Sequence, residues 1–262
     1  MVMNPFTLSP DPRYLYLTDS LQEAAAKVRY VCDSRQGLTV LYGDIGHGKS
    51  SLLRMLFGEY AGRPDCRAIL LPTPDFDTGL TLLKAICDEF GVARKRARLD
   101  QQSAFEHFLL DEYAEGHNVI VFIDEAQVLK GHVLELVRTL LNFETSTTKL
   151  VQVVLAGQLE LRDRLRDKSK RALRSRIFTS SVLSALSREA TGEMIAFRCK
   201  QAGVPNPFPS PAVDAIYRWT RGVPRDAMKV CGLAYSFVLQ GEKVTPELID
   251  EVAPGAELDA DG

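Results

Sequence analysis

Leu38-Thr39-Val40-Leu41-Tyr42-Gly43-Asp44-Ile45-Gly46-His47-Gly48-Lys49-Ser50-Ser51-Leu52-Leu53 is the stretch on which the reading of this chain turns. Leu38, Val40 and Tyr42 alternate with Thr39 and Leu41 in a short, β-prone apolar run. Gly43 to Ser50 then fits G-x-x-x-x-G-K-[ST], and a helical pattern follows from Ser51 to Phe57. Strand, glycine-rich loop and helix in that order are the context a phosphate-binding loop requires. The glycines let successive backbone N–H groups turn inward and cradle phosphate oxygens. The helix start adds partial positive charge. Lys49 supplies a mobile cation for the β- and γ-phosphates, and the Ser50 hydroxyl is suited to Mg²⁺. Gly43, Asp44, Ile45, Gly46, His47, Gly48, Lys49, Ser50 and Ser51 are therefore the expected ATP contacts, His47 occupying a variable position of the motif.

Val119-Ile120-Val121-Phe122-Ile123 is a continuous apolar run, as expected of a strand buried on both faces of a parallel sheet. It ends in Asp124-Glu125-Ala126-Gln127. Two adjacent carboxylates there need a cation or a metal. A nucleotide-bound Mg²⁺ supplies it: Asp124 would hold the metal and Glu125 would polarise the attacking water.

Bulk properties set the frame. The 262 residues, with 45% hydrophobic and 25% charged content, describe an ordinary globular protein with room for an α/β domain and a smaller second one. Cys32, Cys66, Cys87, Cys199 and Cys231 are scattered and form no C-x-x-C, which points to reduced thiols in a cytoplasmic setting rather than a disulfide or metal framework. No apolar run approaches membrane-spanning length, and the N-terminus lacks the apolar core of a secretory signal.

Residues 1–19 read as extended chain packed on something. Helices are expected over 21–33, 78–90, 103–115 and 132–143, and strands over 67–71 and 150–155. Alternating strands and helices imply an α/β fold with a central parallel sheet and helices on both faces. From Ser187 the pattern is helical only: Ser187 caps one helix, Ser210-Pro211 opens a second, Gly222-Val223-Pro224-Arg225 separates a third, and Thr245-Pro246 opens a fourth.

Both nucleotide motifs, followed by an all-helical quarter, resemble an AAA+ ATPase. Asn4-Pro5-Phe6, Pro10-Asp11-Pro12-Arg13-Tyr14-Leu15-Tyr16-Leu17, Asp124-Glu125-Ala126-Gln127, Gly157-Gln158-Leu159-Glu160-Leu161, Leu186-Ser187-Arg188-Glu189 and Gly222-Val223-Pro224-Arg225 are similar to the ExeA/GspA type, with a further likeness to TnsC/TniB transposition ATPases and origin-recognition ATPases. The resemblance implies a P-loop core over 1–186, a helical lid over 187–253 and a flexible tail over 254–262. It implies ATP between core and lid. It places Gln158 at the sensor-1 position and Arg225 at sensor 2. Arg176 becomes an arginine finger for a neighbouring subunit, with Arg174 its rival, and Tyr14 and Tyr16 line the adenine. Full-length secretion members continue into a membrane span and a cell-wall-binding region, whereas these residues end after the lid.

Residues 162–176 hold eight cations against two acids, and Arg94 to Arg98 add four more. Arg164, Lys168, Lys170 and Arg171 are the expected contacts to the backbone of duplex DNA. The leading reading is an ATP-driven ring or filament on DNA that regulates transposition together with a transposase or another protein, away from any membrane. The alternatives are an ExeA-type secretion ATPase acting on proteins and an ATP-dependent assembly module with negligible turnover.

Overall fold

The computed structural model describes residues 4–8, 11–238 and 242–258. In chain order the longer elements are α1 (Asp19–Asp33), β1 (Leu38–Gly43), α2 (Lys49–Ala61), β2 (Cys66–Leu71), α3 (Gly79–Glu89), α4 (Arg98–Ala114), β3 (Asn118–Ile123), α5 (Gly131–Leu140), β4 (Val151–Gly157), α6 (Leu159–Arg166), α7 (Arg171–Arg174), β5 (Ile177–Leu183), α8 (Arg188–Gln201), α9 (Ser210–Thr220), α10 (Pro224–Phe237) and α11 (Pro246–Val252). They form two compact units. One comprises 20–43 and 52–182; the other is drawn from the described residues of 1–19, 44–51 and 183–262.

The first unit is built on a five-stranded sheet of order β2-β3-β4-β1-β5. β1 pairs with β4, β4 with β3, and β3 with β2, each in parallel. All residues of β1, β3 and β4 are buried, which requires cover on both faces. Alternate side chains provide for this. Val119, Val121 and Ile123 join Leu38, Val40, Val153 and Leu155 in one core with residues of α3 to α7. From the opposite face Phe122 meets Phe57 and Tyr60 of α2, with ring centroids 6.1 and 6.2 Å apart. At the amino ends of the strands, buried Gln152 accepts from Gly37 N at 2.8 Å and donates to Asn118 at 3.3 Å. Such a satisfied buried network fixes register where a slip would expose the core. The carboxyl ends are thereby left for chemistry.

β5 was not anticipated from sequence. Its Phe178 and Val182 are about half exposed, so it lacks the buried-strand signal, and the surrounding arginines dominate the local pattern. The stretch from 159 to 174, left unassigned by periodicity, folds into α6, a 3₁₀ turn (Lys168–Lys170) and α7.

The second unit packs α8 to α11 around Ile195, Ile216, Val230 and Ile249. Ser187 and Thr245 cap α8 and α11 as expected, accepting from Ala190 N at 3.1 Å and Leu248 N at 3.3 Å. Ser210 does not cap α9: its hydroxyl accepts from Arg188, and the helix begins one residue earlier than the serine cap implies, after Pro209.

The sequence reading joined residues 1–19 to the sheet domain. Their described part packs with the C-terminal helices instead. Phe6 is buried, its ring edge-on to Phe208 at 5.3 Å. The buried Arg198 guanidinium donates to the carbonyls of Pro5 (2.8 Å), Thr7 (2.9 Å) and Tyr14 (3.0 Å). Three carbonyls in a fork geometry satisfy a buried cation. The described part of the expected tail carries a regular turn. Ala253–Ala256 form a 3₁₀ turn with Ala253 and Ala256 buried; residues 259–262 lie outside the described residues. All five cysteines are buried and free, and burial pushes the Cys87 thiol up to about 11. Among the described residues no helix is long and apolar enough to cross a membrane.

Candidate functional site

β1 delivers the chain to Asp44, and α2 begins at Lys49. Between them Gly46 and Gly48 have φ of +79° and +88°. That left-handed backbone is open to glycine and strained for other residues, and it turns the loop into a helix start. A Cβ on Gly46 would lie 2.9 Å from both Arg225 Cβ and Val223 Cγ1. Gly46 O accepts from Arg225 N at 3.3 Å. Gly46 is thus fixed by close approach as well as by φ. The loop and the arginine of Gly222-Val223-Pro224-Arg225 are brought together, and the Arg225 side chain stays exposed. Lys49 is buried, and its ammonium donates to Asp44 O at 2.7 Å. His47 Nδ1 sits 3.2 Å from Leu183 O.

The acidic motif is held differently. Asp124 is 4% exposed, and its Oδ1 accepts from Glu125 N at 2.9 Å. Asp124 N donates to Leu71 O at 2.9 Å, extending the ladder past β3. Glu125 is left-handed, with φ 48° and ψ 36°, a conformation costing a non-glycine residue on the order of 1–2 kcal/mol. The strained residue is the expected base. Gln127 Nε2 donates to Glu125 Oε2 at 2.5 Å, and Gln127 Oε1 accepts from Gln158 N at 3.1 Å. Gln158, the predicted sensor, follows β4 directly and is half-buried. The structure therefore gathers Asp124, Glu125 and Gln158 at the carboxyl ends of adjacent strands. Gln127, part of the quoted motif, was given no role from sequence. Its signal was present only as an amide two residues beyond the acid.

Several expected roles are corrected. Arg164 is not a free surface cation: it donates to Gln127 O at 2.6 Å and also to Leu129 O. Lys170 donates to Gly131 O at 2.8 Å, with Glu135 Oε1 3.5 Å away. Both anchor the segment after Glu125. Of the two arginine-finger candidates, Arg174 is exposed and donates to Arg166 O at 2.9 Å, and Arg176 is half-buried. Lys168 and Arg171 are exposed as expected, together with Arg166. Arg94, in the other basic run, is paired with Asp88. Tyr14 and Tyr16 are both engaged with α8. Arg198 stands 5.1 Å over the Tyr14 ring, and Tyr16 O–H donates to Glu193 at 2.7 Å. That bond and partial burial push the Tyr16 phenol up to about 12.

Comparison with known proteins places this geometry. Residues 32–165, half of the chain, match the family model for an AAA domain. The chain is 36% identical over 234 residues to General secretion pathway protein A of Aeromonas hydrophila, a match covering 88% of this chain and 42% of that protein. The chain thus spans less than half the length of that relative. The fold is similar to Cdc6p of Pyrobaculum aerophilum (TM-score 0.68, 15% identity, 97% of this chain and 71% of that one). It is similar to ORC2 of Aeropyrum pernix in ADPNP–ADP complexes (0.66, 14%, 96% and 71%). The RuvB Holliday junction branch migration motor of Thermotoga maritima is a further neighbour (0.59, 18%, 92% and 71%). The ExeA/GspA likeness and the P-loop AAA+ fold expected from the motifs are found. The likeness to TnsC/TniB ATPases rests on the sequence motifs alone.

Proposed function

The chain belongs to the AAA domain family, and from that premise we propose that it is a Mg²⁺-dependent ATPase of the ExeA type whose nucleotide state sets self-assembly and a protein partner. The observation that carries this reading is the 44–51 loop: two left-handed glycines lead into a helix start, with the Lys49 ammonium folded over the loop's own carbonyl. Backbone donors and a cation there suit a polyphosphate. Ser50 and Asp124 offer hard oxygen ligands, the donor set Mg²⁺ takes. The metal would neutralise charge on the bound phosphates. Lys49 would bind β- and γ-oxygens, and Glu125 would orient and deprotonate the attacking water. Gln158 and Arg225 would contact the γ-phosphate, and Arg176 would act on a neighbouring subunit's nucleotide. The strands that lead into the two motifs, β1 and β3, flank β4 in parallel, so their carboxyl ends lie along one edge of the sheet.

The test is calorimetric titration with Mg·ATP alongside turnover. Binding with hydrolysis that Glu125→Gln removes is the expected result; no heat of binding overturns the reading, and binding without turnover turns it into a nucleotide-set assembly module. The relative, a general secretion pathway protein, favours the secretion reading over one on DNA. A second reading, an oligomer on duplex DNA in a mobile-element step, rests on exposed Arg166, Lys168 and Arg171. Lys168→Glu with Arg171→Glu should then weaken DNA retention in a salt-sensitive way. Retention unchanged by that pair would remove the second reading.

A further inference from the structure

Gln127 uses both ends of its side chain. The amide nitrogen donates to the Glu125 carboxylate, and the amide oxygen accepts from the backbone N–H of Gln158. We propose that Gln127 is a positioning residue that ties the end of β4 to the orientation of the Glu125 carboxylate. The inference rests on the ATPase reading above and adds a part to it.

Four observations support the assignment. The Gln127 backbone is anchored independently of its side chain, because Arg164 holds its carbonyl and that of Leu129, while Lys170 holds that of Gly131. The side chain is therefore not needed to keep the segment in place. Gly157 lacks the Cβ that would stand 3.0 Å from Gln127 Oε1 and 2.7 Å from Leu161 Cδ2. The last residue of β4 leaves room for the amide. Glu125 carries its carboxylate on several rotatable bonds from a left-handed backbone. A fixed donor restricts it to one orientation. Finally, the contact on the far side is the peptide of Gln158, whose side chain is the candidate γ-phosphate reader. A shift of that peptide is carried by one planar amide to the carboxylate.

The residue type is restrictive. Glutamate would set carboxylate against carboxylate, leucine would make neither bond, and asparagine is one methylene short of spanning both partners. Misplacement of a base by about 1 Å costs on the order of 10²-fold in rate. Gln127→Leu should accordingly lower kcat by about 10- to 100-fold while KM, Mg·ADP affinity and Tm stay near wild type.

The experiment compares wild type, Gln127→Leu, Gln127→Glu, Glu125→Gln and the Glu125→Gln/Gln127→Leu double variant in the full chain. Turnover is measured at saturating Mg·ATP and residual hydrolysis under single-turnover conditions. The expected result is a kcat loss in both Gln127 variants, with no further loss when Gln127→Leu is added to Glu125→Gln. Non-additivity of this kind marks residues acting as a unit. A wild-type kcat in Gln127→Leu overturns the proposal. So does an equal loss on the Glu125→Gln background, or a loss matched by falls in Tm and nucleotide affinity. Should Gln127→Leu fail to fold, Gln127→Asn keeps the amide and carries the same test. Normal turnover in Glu125→Gln itself would instead remove Glu125 as the base, a failure of the underlying reading that the same panel separates.

Discussion

The two nucleotide motifs are built in opposite ways. The loop 44–51 sets its turn from its own residues, with positive φ at Gly46 and Gly48 and a Lys49 ammonium returned to Asp44 O five residues away, while Arg225 and Leu183 reach it from further along the chain. The segment after β3 borrows its shape. Gln158, Arg164 and Lys170 reach it from 31, 37 and 39 residues along the chain. A turn set by its own glycines keeps its function in a motif that can be read locally. A borrowed one distributes it among residues whose types look ordinary in sequence.

Variants can break or sharpen this contrast. The largest effects should fall on the motif residues themselves. Glu125→Gln should reduce turnover by about 10²–10⁴-fold, the range for a lost general base, with ATP still bound. Lys49→Ala should cut ATP affinity by about 100-fold or more, a desolvated charge–phosphate contact worth roughly 3 kcal/mol. Turnover or titration near wild type would detach the respective residue from its motif. Next come the long-range tethers. Arg164→Ala strands the carbonyls of Gln127 and Leu129 and should destabilise the protein by about 1–3 kcal/mol, read by denaturant unfolding. An unchanged midpoint would show that the acidic segment holds its shape without these tethers. Arg198→Met should cost a similar amount or more, because three buried carbonyls lose their donor.

The smallest effect is at Tyr16. Its phenol is raised from the ordinary 10.0 to about 12, first by the bond to Glu193. A group raised on folding stabilises fully below its unfolded value. That contribution is therefore present below about pH 10 and lost as pH rises toward about 12. Tyr16→Phe should lower stability at pH 8 by less than about 1 kcal/mol and remove this part of the alkaline loss, checked by Tm against pH. An identical alkaline profile would show that the bond contributes nothing in solution.

Legibility followed the same division. β1, β3 and β4 were readable because a strand buried on both faces is apolar at nearly every position, Thr39, Asn118 and Gln152 being the polar exceptions, and the caps at Ser187 and Thr245 because a cap bonds three residues ahead. β5 was not, since an edge strand half in solvent carries Ser and Thr among its apolar residues. Among the cations of 162–176, composition could not separate Arg164 and Lys170 from Lys168 and Arg171. Each is a long basic side chain, and the partner carbonyls lie on another segment.

By itself the sequence determined the phosphate loop, the acid pair and the alternating α/β pattern, because each is carried by contiguous residues whose backbone torsions and side-chain periodicity act over a few positions. Tertiary structure alone decided that Gln127 joins Glu125 to Gln158, that two arginine-rich-segment cations clamp rather than face solvent, and that Arg198 gathers the N-terminal segment 193 and 184 residues away. Those hydrogen bonds exist only once the chain has closed, since a carbonyl has no preference among distant cations until packing brings one within reach.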